Sequence, residues 1–369
     1  LMEIENNGNA AAQSLVNALN AFVGAGSYAV VGLPTGGTGT DAIRVAMIYK
    51  PGKLTPVGSA VSDTDPIHNR PPLAQTFAAA NGEKFTVIVN HFKSKGSCPS
   101  AGDPDADQGD GQGCWNIRRT EQAQALHSFV TARATDVAVA DSDVIVIGDL
   151  NSYGKEEPIL ELTANGYVDQ VARFDAFGYS YVFDGEAGYL DHALATPSLS
   201  AQITGAAHWR INADEPSIID YNLEFKQPAC VTCGPDYYAN TVYRSSDHDP
   251  VLIGLNLVKK IDGTAGRDNL TGTAGDDLIT GGIGADTLTG YAGNDQFVYN
   301  SVLDGIDTLT DFQVGYDRIV LTQLLALLGI SSADPLASRH VTCSTSGQNA
   351  LIGIDADGSA GNARSRNLV

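Results

Sequence analysis

Two short runs, far apart in the chain, carry the side chains best suited to chemistry: Gly148-Asp149-Leu150-Asn151 and Ser245-Ser246-Asp247-His248-Asp249-Pro250. Each sets acid, amide or imidazole groups beside an apolar run that reads as a buried strand, Val144–Ile147 before the first and Val251–Leu257 after the second. A sheet edge can hold such groups in one cleft for metal-assisted phosphoester hydrolysis. That reaction needs a cation against developing charge, a base for water, and donors for the phosphate oxygens. Glu3 and Asp247 offer hard oxygen ligands for magnesium or manganese, and Glu5 shares a strand face with Glu3, so alternation does not choose between them. His248 offers a base with an ordinary pKa of about 6.5, and Asp191 a carboxylate to fix its tautomer. Asn151 can donate to phosphate without adding charge. After the expected strand Phe85–Asn90 come His91, Lys93 and Lys95, a cluster able to hold phosphate.

These groups need strands to position them. Ala42–Tyr49, Phe85–Asn90, Val144–Ile147, Tyr189–Ala195 and Val251–Leu257 read as strands bounded by Gly, Pro, Asp or Asn, and Ala10–Val23 and Ile117–Val130 as helices. A two-layer or sandwich-like α/β domain follows. At 369 residues, 43% of them hydrophobic, the chain can bury a full core and has room for a smaller second domain. No run reaches the roughly 20 apolar residues of a membrane span. A net charge of −21 opposes a polyanionic partner at long range, but much of the acid is clustered where bound calcium would neutralise it, as in the repeats after residue 262.

The five cysteines suit an oxidising compartment. A Cys98–Cys114 bond would close a Gly/Asp/Pro-rich loop and stabilise by about 3 kcal/mol. Cys230 and Cys233 read as a local disulfide rather than a zinc site, with Cys343 unpaired. Asp103, Asp105 and Asp107 alternate like calcium ligands, but Gly109 is misplaced for an EF-hand, so the loop reads as solvated or loosely calcium-bound. Lys93, Lys95, Arg118 and Arg119 fit either a phosphate-guiding rim or a solvated face. Trp115 fits base stacking or packing under the loop equally well.

After Lys259-Lys260 a nine-residue period begins: Gly263–Thr271, Gly272–Thr280, Gly281–Thr289 and Gly290–Val298. Glycine opens each unit, aspartate holds the sixth position (Asp268, Asp277, Asp286, Asp295), and a large apolar residue holds the eighth (Leu270, Ile279, Leu288, Phe297). Glycines permit tight turns, carboxylates face calcium, and the apolar residues stack into a thin core. The pattern resembles the repeats-in-toxin (RTX) family of parallel β-rolls, which implies structural Ca2+, a secreted extracellular protein, and type I export by an uncleaved C-terminal signal. The segments around Asp307–Phe312 and Gly315–Ile319 look like the cap of such a roll, and Leu321–Leu328 like a short helix. Asp355–Gly358 reads as an ordinary turn.

The first part resembles the endonuclease/exonuclease/phosphatase superfamily, of pancreatic-type deoxyribonucleases and abasic-site endonucleases. The resemblance rests on Leu1-Met2-Glu3, Asn90–Lys95, Gly148–Asn151, Tyr189-Leu190-Asp191-His192 and Ser246–Pro250, in that order. Tyr181–Gly185, Ile211–Pro216 and Tyr243–His248 make it most similar to bacterial extracellular nucleases. It implies an α/β (α+β) four-layer sandwich of two packed sheets flanked by helices over residues 1–257. A linker at 258–262, a roll at 263–298 and a cap with a secretion-signal region at 299–369 would follow. It further implies that Glu3, favoured over Glu5 by register, and Asp247 bind Mg2+ or Mn2+, and that His248 activates water with Asp191 behind it. Asp149 would orient the nucleophile or assist the leaving group, Asn151 and His91 would contact the scissile phosphate, and Arg44 the nucleic-acid backbone. The superfamily's first strand has no counterpart before Glu3, so the domain reads as N-terminally truncated. A metal-dependent nuclease acting on extracellular DNA, or RNA as well, is the leading expectation. Phosphatase or phosphodiesterase action on nucleotides or phospholipid head groups is the second, and a calcium-dependent adhesion or matrix protein with a decayed nuclease domain the third.

Overall fold

The β-branched run Val144-Ile145-Val146-Ile147 forms the heart of a six-stranded mixed sheet. Its strand order is Thr55–Ser62, Leu73–Ala78, Lys84–His91, Val144–Asp149, Asp191–Ala195, Val168–Asp169. The computed structural model describes residues 1–136, 141–216, 219, 241–358 and 366–369; the Cys230–Cys233 pair lies outside these. Lys84–His91 and Val144–Asp149 run parallel, joined through the helix Asn116–Thr135, while the other pairings are antiparallel. That helix buries Arg119, Gln122, Ala123, Leu126 and Val130, a stripe at three- and four-residue spacing. Leu126 and Val130 pack with Ile88, Val144, Val146, Leu150, Ile159, Leu162 and Leu194 in one core.

Gly148 interrupts the strand run for a steric reason. Its φ is +133°, and a Cβ there would meet the Asn90 carbonyl oxygen at 2.2 Å, so the two parallel strands can approach only past a glycine. The expected single strand Ala42–Tyr49 is instead two short ones. Ile43–Arg44 pairs with Ile4–Glu5, and Ile48–Tyr49 with Ala29–Val30. Ile203–His208 pairs with Val251–Leu255, a further two-stranded piece beside the six-stranded sheet's own pairings.

Chain contacts separate two units, Leu1–Ala80 with Lys84–Asn256, and Asn81–Glu83 with Leu257–Val369. In the second, Lys259–Asp262 is a strand and not a linker. It lies parallel beside Asp277–Thr280, followed by Gln296–Val298 and Arg318–Val320. A second parallel sheet holds Asn269–Thr271, Thr287–Thr289 and Thr308–Leu309. Successive nonapeptides therefore alternate between two sheets. Ile279, Leu288 and Phe297 are buried between them, with Leu270 and Ile261 packed alongside. Close stacking explains the opening glycine: a Cβ on Gly263 would sit 2.1 Å from the Gly281 carbonyl oxygen. The helix Thr322–Leu327 follows the roll, then an antiparallel sheet of Val341–Ser346, Asn349–Ile354 and Arg366–Asn367. Among the described residues, no helix is long and apolar enough to cross a membrane.

Candidate active site

Three strand ends set the site. His91 and Asp149 are register partners on parallel neighbours, and Asp149 and Asp191 are register partners on antiparallel neighbours. Residues in register share a sheet face, so His91, Asp149 and Asp191 form one row across the sheet. His91 Nε2 lies 3.4 Å from Asp149 Oδ2 and 3.9 Å from Glu3 Oε1. The fourth member comes from the loop before Val251–Leu255: His248 Nδ1 donates to Asp191 Oδ2 at 2.6 Å. That bond assigns the Nδ1 proton and leaves Nε2 as the titrating nitrogen.

Local bonds explain why these positions hold. Asp149 Oδ1 accepts the Asn151 backbone N–H at 2.7 Å, and Oδ2 the Asn151 side-chain amide at 2.9 Å. Asn151 reaches this with φ of +48°, a left-handed conformation asparagine tolerates. On the other side, Asp249 Oδ1 accepts the backbone N–H groups of Ile211, Asn212 and Ala213 at 2.9, 2.7 and 3.2 Å. Asn212 then donates to the His248 carbonyl at 2.7 Å. His208 donates to the Asp191 carbonyl at 3.0 Å. His192 is fully buried and donates to the Ser152 carbonyl at 2.7 Å, a structural role in the turn after Asn151.

Burial and charge separate the protonation behaviour of the row. Burial, reinforced by the Asp191 charge, pushes the Asp149 carboxyl far above the usual carboxylate range, to about 7. Burial, together with the Arg70 and His248 charges, pulls His91 down to about 3, so it is a neutral imidazole. Burial also opposes a charged His248, but the hydrogen bond and charge of Asp191, with Asp149 and Asp247, outweigh it and push the imidazole up to about 9.

Sequence reading missed several partners. Arg70 is buried and donates to the carbonyls of Phe92 (2.5 Å) and His91 (3.3 Å), fixing the end of the His91 strand. The Tyr181 ring lies 4.7 Å from the His248 imidazole. Nothing in Asn69-Arg70-Pro71-Pro72 marks Arg70, whereas Tyr181 lies in a motif already singled out.

The cations named for a substrate rim each hold partners within the chain. Arg44 is buried, donating to the carbonyls of Val45 and Gly8 and to Asn9 Oδ1, which places it inside the fold and not at a substrate surface. Lys95 pairs with Glu156 and lies over the Tyr153 ring. Lys93 lies over Trp115 and donates to the Ser94 carbonyl. Arg118 is held by Asn69 and the Ile67 carbonyl. Arg119 is buried on Ser152 and on the Cys114 and Gln112 carbonyls. Trp115 takes the packing role, donating to the Gly96 and Ser97 carbonyls. The Cys98–Cys114 disulfide is formed, with Cα atoms 5.4 Å apart. Asp103, Asp107 and Asp110 each accept a backbone N–H two residues on, as turn formers do.

Among the described residues, no three His, Cys, Asp or Glu side chains form a ready-made metal cage. Magnesium does not require one, since it binds through one or two carboxylates, waters and substrate phosphate. The donors fit that mode. Glu3 presents a side chain 64% exposed beside His91, Asp191 Oδ1 is buried without a hydrogen-bond partner, and Asp149 is disfavoured as an anion next to Asp191. In the roll, the N–H of Asp268 donates to Asp286 Oδ1, and that of Asp277 to Asp295 Oδ1. The same bond runs from Asp286 to Asp307 and from Asp295 to Asp317, which extends the two ladders beyond the repeats. Asp286 and Asp295 each keep a buried Oδ2 without a partner, and the Asp307 carboxylate faces the buried Tyr299 hydroxyl. Burial and neighbouring aspartates push Asp295 and Asp307 up to about 6, so this donor set fits a hard cation.

Residues 262–297 match the RTX calcium-binding nonapeptide repeat in four copies. No curated protein matches the chain in sequence. Similar solved structures include an endonuclease/exonuclease/phosphatase from Bacteroides vulgatus, with 14% identity, a TM-score of 0.42, and coverage of 69% of this chain and 83% of that one. A 3′ phosphatase from Neisseria bound to a product DNA hairpin shows 14% identity, a TM-score of 0.40, and coverage of 70% and 100%. A mannosyl-6-phosphatase from Bacteroides thetaiotaomicron shows 13% identity, a TM-score of 0.39, and coverage of 53% and 72%.

Proposed function

We propose that the chain is a secreted, divalent-metal-dependent nuclease that hydrolyses phosphodiester bonds of extracellular DNA, or RNA as well. Its first unit would take the four-layer sandwich of the endonuclease/exonuclease/phosphatase superfamily, and its second a calcium-binding roll. The observation that carries this reading is the 2.6 Å Asp191–His248 bond at the end of the His91–Asp149–Asp191 row. Asp191 holds the imidazole so that Nε2 takes the proton of an attacking water. Asp149, titrating near neutrality, is suited to exchange a proton with the leaving oxygen. The neutral His91 ring is the donor for a phosphate oxygen, and the Asn151 amide, spent on Asp149 and the Phe92 carbonyl, fixes Asp149 against the His91 strand end. Glu3 and Asp247 would hold a magnesium or manganese ion, which would supply positive charge against the developing negative charge and favour the neutral His248 imidazole.

The burial of Arg44 and Arg119, with Lys93, Lys95 and Arg118 each holding a partner within the chain, supports a second reading, in which the phosphoester is small, a nucleotide or a phospholipid head group. Plasmid nicking and phosphate release, each measured with magnesium on wild type and His248→Ala, separate the two. Nicking that depends on His248 supports the nuclease; phosphate release from nucleotides or lipids without nicking supports the second reading. Equal activity of both proteins on every substrate would remove His248 from the chemistry.

A further inference from the structure

The strands Tyr181–Phe183 and Glu186–Gly188 form a hairpin beside the proposed site. Its turn is Asp184-Gly185, both residues at positive φ (50° and 82°), the pattern of a two-residue turn that matches strand twist. Alternation puts Tyr181 and Phe183 on one face. Their rings are 12° from parallel with centroids 6.5 Å apart, and the Tyr181 ring is also 4.7 Å from His248. Three rings thus run outward from the acid–imidazole pair and end at Phe183, which is 60% exposed.

The hairpin is fixed to the same backbone that holds the pair. Ser180 Oγ accepts the N–H groups of Leu190 and Asp191 at 3.1 and 3.2 Å, and the Ser180 carbonyl accepts that of Asp249 at 2.8 Å. The shelf is therefore aimed by residues flanking both Asp191 and His248. An exposed flat aromatic face, two ring contacts of 4.7 and 6.5 Å away from His248, suits a planar partner. Every nucleobase offers a π-face, and stacking on an aromatic side chain needs no sequence-specific contact.

We propose that Tyr181 and Phe183 form an aromatic shelf on which a nucleobase of the substrate stacks, so that the site selects phosphoesters carrying an unpaired base over base-free ones. The inference rests on the phosphoester reading above. Stacking on such a shelf would add to whatever phosphate contacts the site makes.

The test uses the full chain with magnesium. Phosphoester cleavage is measured for wild type, Phe183→Ala, Phe183→Leu and Phe183→Trp. The substrates are a single-stranded oligonucleotide, a mononucleotide ester, and an oligomer abasic around the scissile phosphate. The shelf predicts that Phe183→Ala loses about tenfold in kcat/KM on base-carrying substrates and little on the abasic one. Trp restores the rate and Leu does not. The larger loss, on oligonucleotide or mononucleotide, identifies which source supplies the base. Equal loss on abasic and base-carrying substrates, rescue by Leu, or no loss overturns the proposal. Fluorescence anisotropy with a labelled single strand, intact against abasic, provides a second readout. If wild type and His248→Ala are equally inactive, the phosphoester reading fails. The shelf still stands or falls on whether Phe183→Ala removes the binding preference for the intact strand.

Discussion

Asp149 and Asp191 face each other directly across antiparallel neighbouring strands, two buried carboxylates in one register row. Desolvation and the Asp191 charge disfavour the Asp149 anion and push its carboxyl up, while Asp191 accepts the His248 Nδ1 proton. In Asp191→Asn, measured in chelator, the His248 pKa should fall from about 9 toward its ordinary value and Asp149 should move down. A histidine NMR titration checks this; an unmoved His248 would mean that Asp191 does not hold its proton.

His91 gives a stability signature with a definite sign. The folded ring is held down to about 3, whereas an unfolded histidine titrates at about 6.5. Below that value the unfolded chain binds a proton that the folded ring refuses. The contribution is therefore complete above about pH 6.5 and lost as pH falls toward 3, amounting to roughly 2 kcal/mol by about pH 5. Denaturation series in chelator should show a flatter acid limb for His91→Asn than for wild type.

The Cys98–Cys114 bond closes the loop that Arg119 ties to Ser152. Replacing both cysteines with serine should cost about 3 kcal/mol in the loop-entropy model. For a unit of this size that is a fall in Tm of roughly 8 °C. Thermal unfolding of the double variant checks it, and an unchanged Tm would mean the loop is held by its hydrogen bonds alone.

Calcium should act on the second unit through the aspartate ladders. Chelation should lower its Tm, and Asp295→Ala should abolish most of the calcium-dependent rise, because Asp295 Oδ2 is one of the buried unpartnered oxygens. Asp307→Ala, outside the nine-residue period and at the end of the other ladder, should reduce it too. Calorimetric scans with and without calcium check both.

Much of this geometry was legible in the sequence because strand periodicity places motif residues on strand ends. The runs at Asn90–Lys95, Gly148–Asn151 and Ser246–Pro250 name the residues that meet in the row. What failed to show depends on tertiary partners. Arg44 reads as a strand cation, yet its guanidinium is absorbed by Gly8 and Asn9. Lys93 and Lys95 read as a phosphate cluster, but Trp115, Glu156 and Tyr153 reach them across the fold. Asp307 and Asp317 escaped the nonapeptide count because longer loops precede them, although each keeps an aspartate two residues before a core residue, Leu309 and Ile319. The segment Ala42–Tyr49 alternates like one strand but pairs with two different partners, a break that pattern alone does not encode.

In the phosphodiester hydrolysis proposed above, the Asp191–His248 pair moves the proton of the attacking water. Nicking of supercoiled plasmid with magnesium, compared between wild type and His248→Ala of equal folded content, tests it most directly. The variant should lose roughly 10²–10⁴-fold in rate. Equal nicking by the two proteins would contradict it.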